Sequence, residues 1–204
     1  LFPVLGKHSL ERAIEALNGQ GINRFIWLLG YKEEIFQKEA SDLRKKFDIT
    51  IDLYIEENPK GEAGSLINVL SDLDEFFIFI NGDIIFDLNF NKLINFLFKN
   101  DADITLVTHL TNHPEDSDCI IENPSLSIYK YKLKTEKNIS QGFYLGFAGI
   151  SILNKKIVKS VKYSNNCSEF LSIFKDFIIF ANQKGFKVFS YNTSEYLKDM
   201  GTPK

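Results

Sequence analysis

Residues 76–83 read Phe-Phe-Ile-Phe-Ile-Asn-Gly-Asp, an apolar run that ends on a polar triplet. A short apolar run bounded by a turn signal is typical of a buried strand. In open α/β sheets, ligands bind beyond the carboxyl ends of the strands, which is where the triplet Asn81-Gly82-Asp83 lies. Gly82 would let a phosphate or ribose approach closely, and Asp83 would offer a hard oxygen ligand for Mg²⁺. A simple turn after a strand explains this stretch equally well.

Predicted strands and helices alternate on both sides of this run, which indicates an α/β layer fold. Residues 119–133 read as two short strands around the turn signal Asn123-Pro124-Ser125, a small β excursion. We therefore predict one domain over residues 1–204, a Rossmann-like three-layer α/β/α fold with a mixed, mostly parallel sheet. The predicted strands are 25–29, 49–55, 76–80, 103–110, 143–153 and 186–191, and the predicted helices are 9–17 (capped by Ser9), 32–46, 63–73, 89–99 and 168–184 (capped by Ser168).

Composition restricts the function classes. The chain has 204 residues and a net charge of −3, which argues against general binding to nucleic acid, because that needs a basic face. Its apolar stretches are far shorter than the roughly 20 residues of a membrane span. Cys119 and Cys167 lie in unrelated segments without metal-type spacing, so we expect free thiols and a cytoplasmic location.

Two further segments could carry chemistry. Asp199 precedes Met200-Gly201-Thr202-Pro203 near the end of the chain, and two carboxylates on separate loops, here Asp83 and Asp199, can hold one Mg²⁺. Residues 56–66 follow a strand and enter a helix, and Gly61 and Gly64 would leave backbone N–H groups free to face an anion. A loop with a capped helix is the simpler interpretation of that segment.

These segments, taken in order, resemble the motifs of the sugar-1-phosphate nucleotidyltransferases, which make a nucleotide sugar and pyrophosphate from an NTP and a sugar 1-phosphate. Residues 2–7 match the stretch after the family's Pro-Lys-Pro, and Gly61-Glu62-Ala63-Gly64 matches its base-recognition loop. Asn81-Gly82-Asp83 and residues 199–203 match its two metal loops. The ending is most similar to members that act on mannose or heptose 1-phosphate with GTP.

The resemblance implies roles for individual residues. Asp83 and Asp199 would bind Mg²⁺ and act in catalysis, Gly149 would lie against the sugar, and Lys132, or nearly as well Lys130, would meet the sugar phosphate. The remaining nucleotide-binding positions would be Glu57, Gly61, Glu62, Ala63, Asn81 and Gly82. The resemblance also leaves open a homo-oligomer and a C-terminal phosphatase domain.

The sequence departs from the family pattern at several points. The family's Gly-rich loop and the lysine of Pro-Lys-Pro would lie before Leu1, so we expect the chain as given to be inactive. Glu62 replaces the usual Thr, which could favour guanine, and Phe147 stands where many members have Asn. Two alternatives remain: a catalytically inactive, regulatory relative that binds nucleotide or sugar, and a glycosyltransferase. The latter fits poorly, because Asp83 and Asp87 are not spaced as Asp-x-Asp.

Overall fold

The computed structural model describes residues 3–4, 6–30, 33–58, 60–111, 113–115, 117–122, 128–135, 144–164 and 170–200. The strands are β1 (Pro3–Val4), β2 (Lys7–His8), β3 (Arg24–Leu29), β4 (Thr50–Ile55), β5 (Phe76–Ile80), β6 (Ile84–Asp87), β7 (Ile104–Thr111), β8 (Cys119–Glu122), β9 (Ile128–Lys132), β10 (Tyr144–Asn154), β11 (Val188–Asn192) and β12 (Tyr196–Asp199). The helices are α1 (Ser9–Asn18), α2 (Glu33–Phe47), α3 (Ser65–Asn68), α4 (Phe90–Lys99), α5 (Lys155–Lys162), a π-helical segment (Ile173–Ile179) and α6 (Phe180–Gln183).

The main sheet is built around β10. This strand pairs antiparallel with β5, β7 and β8, and β11 adds to β7 in parallel. Since β5 and β7 both run against β10, they point the same way as β11. The separate parallel pair β3–β4 starts beside β5, because Arg24 forms an ion pair with Asp74 at 3.5 Å. The long strands therefore mostly share one direction with β10 reversed among them, which confirms the predicted mixed sheet.

Side chains of β10 alternate between two hydrophobic clusters, one on each face of the sheet. Leu153 packs with Phe174 and Phe177 of the π-helical segment. Ile150 and Ile152 pack instead with α4, whose Phe90, Leu93 and Leu97 are almost fully buried. Because successive strand residues face opposite sides, helices cover both faces, and the three-layer prediction is confirmed. A third cluster joins α1 and α2 to β3 and β4.

Several predicted boundaries differ from the structure. The helix predicted over 63–73 is the single turn α3, followed by further turns. Strand 186–191 is not the last, since β12 follows it, and neither β6, β12 nor α5 was predicted. Strand β6 has only four residues and directly follows Asp83, so its apolar pattern is too short to predict a strand. The β excursion is confirmed as the antiparallel pair β8–β9, although its turn lies outside the described residues.

Of the two predicted helix caps, that of Ser9 differs from the structure and that of Ser168 is not tested. Helix α1 begins at Ser9 itself, and the Ser9 hydroxyl donates to the carbonyl oxygen of Gly82 at 3.3 Å instead of capping. Ser168 lies outside the described residues. The hydroxyl of Ser172 caps the π-helical segment by accepting from the N–H of Lys175 at 3.3 Å.

The composition-based expectations are tested only in part. In the ranges given above, no helix is long and apolar enough to cross a membrane. Cys119 is a buried free thiol, and burial raises its pKa to about 11, so little reactive thiolate forms at neutral pH. Cys167 lies outside the described residues.

Gln20 joins the end of α1 to the start of α4, and its loss should be measurable. Its amide donates to the carbonyl oxygen of Leu88 at 2.9 Å, and its carbonyl oxygen accepts from the N–H of Phe90 at 2.8 Å. Gln20→Ala leaves both partners unsatisfied, so we expect unfolding free energy to fall by about 1–3 kcal/mol in urea. Gln20→Glu retains the acceptor for Phe90 but places a carboxyl oxygen against the carbonyl oxygens of Ala16 and Leu88, so its loss should increase as the pH rises and the carboxyl group ionises. A loss that does not depend on pH would contradict the assigned bonds.

Candidate functional site

The triplet Asn81-Gly82-Asp83 is held against the central strand. The N–H of Asn81 donates to the carbonyl oxygen of Gly149 on β10 at 2.9 Å. The carbonyl oxygen of Asn81 accepts from the N–H of Ile84 at 3.2 Å, which turns the chain from β5 into β6. The triplet thus lies at the carboxyl end of β5, as predicted, in a turn fixed at both ends by backbone hydrogen bonds.

Gly149 allows this turn to pack closely. It lies at a register shift of β10 between Phe147 and Ser151, and its φ is +72°, in the left-handed region that favours glycine. A Cβ at this position would lie 3.1 Å from Nδ2 of Asn81 and 3.2 Å from Cγ1 of Ile84. Among the described residues, the missing side chain of Gly149 therefore lets Asn81 and Ile84 pack closely against β10.

The unpredicted strands β6 and β12 bring the two candidate metal ligands together. They pair antiparallel with Asp199 opposite Ile84, and the N–H of Met200 donates to the carbonyl oxygen of Asp83 at 2.9 Å. The side chains of Asp83 and Asp199 are both exposed to solvent. Two residues more than a hundred positions apart are therefore brought close together at one end of the β6–β12 pair.

The electrostatics of Asp83 reflect this meeting. Partial desolvation raises the pKa of Asp83 above its ordinary value, and the negative charge of Asp199 raises it further. Two neighbouring carboxylates fit a hard divalent cation such as Mg²⁺, which binds few protein oxygens and keeps other positions for water or phosphate. Within the described residues, no cluster of three or more His, Cys, Asp or Glu side chains forms. The protein would thus provide two ligands and leave coordination positions open.

A crevice opens beside the triplet. It belongs to a cavity of about 1000 Å³, and its polar end is bordered by Ser9, Glu62, Asn81, Gly82 and Asp83. Among the described residues, a Cβ built on Gly82 would meet only Cδ2 of Leu10, at 3.8 Å, which is an ordinary contact. The space over Gly82 is therefore open, as expected for a glycine approached by a ligand. Sequence reasoning missed Ser9 and Leu10, since nothing local marks α1 as a neighbour of Gly82.

The loop at 60–64 is closely packed, and the anion contact predicted for the N–H groups of Gly61 and Gly64 stays a prediction. Gly61 has a φ of +82°, and a Cβ there would lie 2.5 Å from the carbonyl oxygen of Leu171. The N–H of Ala63 donates to that same oxygen at 3.1 Å, and a Cβ on Gly64 would collide with Lys60. Ala63 therefore does not offer a free N–H, and both glycines serve close packing within the protein.

Of the other predicted positions, Glu62 lines the crevice, whereas Glu57, Lys130 and Lys132 do not. Glu57 is exposed in the loop after β4, whereas the exposed Glu62 borders the crevice itself. Lys132 on β9 is only 4% exposed, and its ammonium donates to the carbonyl oxygens of Pro114 and, at 3.4 Å, Leu133. Lys130 on the same strand is exposed. Among the described residues, these two bonds leave one ammonium N–H of Lys132 for a phosphate, on a side chain that is almost fully buried.

The sequence is similar to that of a known protein family along almost its whole length. The profile of the nucleotidyl transferase family matches residues 1–203. The mannose-1-phosphate guanylyltransferase of Mycobacterium tuberculosis is 24% identical over 206 residues, covering 100% of this chain and 55% of that protein. The mannose-1-phosphate guanyltransferase of Candida albicans is 27% identical, covering 94% of this chain and 52% of its own length. The chain thus spans about half the length of these relatives.

Solved structures show the same fold. HddC from Yersinia pseudotuberculosis superimposes with a TM-score of 0.80 at 23% identity, covering 99% of this chain and 84% of HddC. The structure of HddC complexed with GMP-PN gives a TM-score of 0.78 at the same identity, covering 98% of this chain and 83% of HddC. At this level of identity, the likeness establishes the fold alone.

The role of Gly149 can be separated from backbone strain by a matched pair of variants. Gly185 has a φ of +84°, but a Cβ there would meet nothing within 4 Å. Gly185→Ala should therefore cost only the left-handed strain, about 1–2 kcal/mol. Gly149→Ala adds the crowding of Asn81 and Ile84, so its loss of unfolding free energy should be larger. Equal losses in urea denaturation would contradict the close packing of the triplet.

Proposed function

The chain belongs to the nucleotidyl transferase family, and from that membership we propose that it transfers a nucleotidyl group from an NTP, with GTP favoured, to a sugar 1-phosphate. The sugar would be mannose- or heptose-like, and the products an NDP-sugar and pyrophosphate. The named activities of the mannose-1-phosphate guanylyltransferase relatives support mannose 1-phosphate as the acceptor and guanine as the base. The GMP-PN in the HddC complex also supports guanine as the base.

The observation that carries the proposal is the meeting of Asp83 and Asp199 beside the crevice. The carboxylates would hold Mg²⁺, which when bound supplies neutralising charge for the phosphates. In the reaction, a phosphate oxygen of the sugar 1-phosphate attacks the α-phosphorus of the NTP. The bond from that phosphorus to the bridging oxygen breaks, and pyrophosphate leaves with the electron pair. The chain's own contribution is to orient both substrates.

We assign nucleotide recognition to the polar end of the crevice. The open space over Gly82 would receive the ribose, with Asn81 beside it. Glu62 would face the base, where a carboxylate can accept hydrogen bonds from N1–H and the exocyclic amine of guanine. Gly61 and Ala63 would act through the fixed loop that carries Glu62, and Glu57 would contribute from the loop after β4.

The sugar phosphate would bind on the β10 side of the triplet, next to Gly149. Lys132 remains a proposed phosphate contact, with Lys130 as the exposed alternative on the same strand. We extend the proposal to a role in nucleotide-sugar and polysaccharide biosynthesis in the cytoplasm. A homo-oligomer and a fused phosphatase domain are proposed only for the whole protein.

Asp83→Asn should separate catalysis from stability. We expect pyrophosphate release by the full-length protein to fall by about 100-fold or more, the scale seen when a preorganised charged group is lost. Thermal stability should hold or rise, because the folded state disfavours ionised Asp83 and the amide carries no charge. Asp87→Asn is the matched control, since Asp87 is exposed on the same β6 strand.

The substrates would be identified by assaying four NTPs against several sugar 1-phosphates with Mg²⁺. Release that requires GTP, one sugar phosphate and intact Asp83 is the expected result. Bound nucleotide without release from any pair would overturn the transferase proposal and support the inactive, regulatory relative.

Gly82→Ala should weaken nucleotide binding without loss of stability, whereas Gly149→Ala should lower stability. Within the part of the chain that the structure describes, the nearest atom to the added methyl group is 3.8 Å away, so unfolding free energy should change by less than about 0.5 kcal/mol. If the ribose occupies that space, the dissociation constant for GTP should rise about tenfold, equivalent to about 1.4 kcal/mol. Unchanged GTP affinity in calorimetry would exclude the proposed position of the ribose.

A further inference from the structure

The backbone of the triplet Asn81-Gly82-Asp83 is anchored at three successive carbonyl oxygens, each by a different element. The first oxygen accepts from the N–H of Ile84 on β6 at 3.2 Å, and the third accepts from the N–H of Met200, just after β12, at 2.9 Å. The middle oxygen, that of Gly82, accepts from the hydroxyl of Ser9 on α1 at 3.3 Å. Of these three donors, Ser9 is the one that acts through its side chain.

We propose that Ser9 is a positioning residue for the candidate metal ligand Asp83. Its hydroxyl would fix the peptide group that joins Gly82 to Asp83, and so keep the carboxylate directed towards the site that it shares with Asp199. Ser9 would act through the backbone, without touching the metal ion or the substrates. Where this role concerns Mg²⁺, it rests on the proposed function.

The planarity of the peptide group explains how the hydroxyl can act on its neighbour. The carbonyl oxygen of Gly82 lies in one plane with the nitrogen and Cα of Asp83. Glycine is the residue with the greatest conformational freedom, so this plane is held least by its own side chain. The plane after Asp83 is fixed by Met200. With both planes fixed, the direction of the Cα–Cβ bond of Asp83 is fixed as well.

Helix α1 gives the hydroxyl of Ser9 a well-defined position. Ile14 and Leu17 are only 2% and 5% exposed, and they pack into two different hydrophobic clusters. At the other end of the helix, the amide of Gln20 donates to the carbonyl oxygen of Leu88 at 2.9 Å. The helix is thus bonded to the chain both before and after β6. Groups that orient a functional side chain are most effective on such rigid elements.

The hydroxyl of Ser9 is available because it does not cap the helix. The N-cap is His8, whose side chain makes no capping bond, and Ser9 is already the first helical residue. The next residue, Leu10, packs beside Gly82, since a Cβ on that glycine would lie 3.8 Å from its Cδ2. The bond from Ser9 is exposed to solvent, so water can partly replace it. We therefore expect its loss to have a moderate effect.

Mn²⁺ titration of the full-length protein, followed by the electron paramagnetic resonance of free Mn²⁺, tests the proposal without turnover. Mn²⁺ is a suitable probe because it shares the preference of Mg²⁺ for octahedral oxygen ligands. Ser9→Ala should raise the Mn²⁺ dissociation constant about three- to tenfold, the range for one lost hydrogen bond. Ser9→Thr keeps the hydroxyl and should restore the affinity. Unchanged affinity in Ser9→Ala, or an equal loss in Ser9→Thr, would overturn the proposal.

Ser164→Ala is the matched control. The hydroxyl of Ser164 also donates to a backbone carbonyl oxygen, that of Val161 at the end of α5, at 2.8 Å. Ser164 does not line the crevice, so its substitution should lower unfolding free energy without changing Mn²⁺ affinity. A loss of Mn²⁺ affinity equal to that of Ser9→Ala would point to general destabilisation and overturn the proposal.

Hydrogen exchange in the presence of a chelator separates the role of Ser9 from the proposed function. The N–H groups of Ile84 and Met200 close the turn on both sides of Gly82. In Ser9→Ala their exchange should be about fivefold faster, whereas Ser9→Thr and Ser164→Ala should leave it unchanged. Unchanged exchange in Ser9→Ala would overturn the proposal. Mn²⁺ binding that Asp83→Asn does not weaken would instead contradict the metal site of the proposed function.

Discussion

The antiparallel pairing of β10 with its neighbours is the interaction on which the rest of the structure depends. One strand, buried at ten of its eleven positions, joins β5, β7 and β8, and its alternating side chains form both hydrophobic clusters of the main sheet. Its register shift places Gly149 where the carbonyl oxygen can accept from the N–H of Asn81. The same strand therefore organises the core and fixes the turn that carries Asp83.

Asp83 is partly desolvated and lies near the negative charge of Asp199, and both effects make its ionised form costly for folding. The raised pKa of Asp83 means that the folded state binds a proton there more readily than the unfolded chain does. Stability contributed by this group is thus present at low pH and declines as pH rises through the folded pKa. Carboxylates whose ionised form is disfavoured in the folded state are typical of functional sites. A bound cation or substrate there compensates for their negative charge. The pairing of β6 with β12 keeps Asp83 and Asp199 close together.

Sequence reasoning found the layers and most of the long elements because their signals are local. Apolar runs and helical periodicity mark β5, α2 and α4, and the ordered motifs marked Asp83 and Asp199 as partners. It missed β6 and β12 because four-residue strands give weak patterns, and each becomes a strand only by pairing with the other. It also assigned Ser9 to a cap, whereas a long-range contact with Gly82 determines the position of its hydroxyl.

The glycines illustrate why a motif alone does not define a role. Gly61 matches a base-recognition loop, yet its missing side chain makes room for the backbone of Leu171. Gly149 matches a sugar-binding glycine, yet it makes room for Asn81. Of these three glycines, Gly82 is the one whose missing side chain opens onto the crevice, where a Cβ would meet one atom of the described residues within 4 Å. If the family positions act in recognition, Gly61 and Gly149 must do so indirectly, by fixing Glu62 and Asn81, whereas Gly82 can do so by contact.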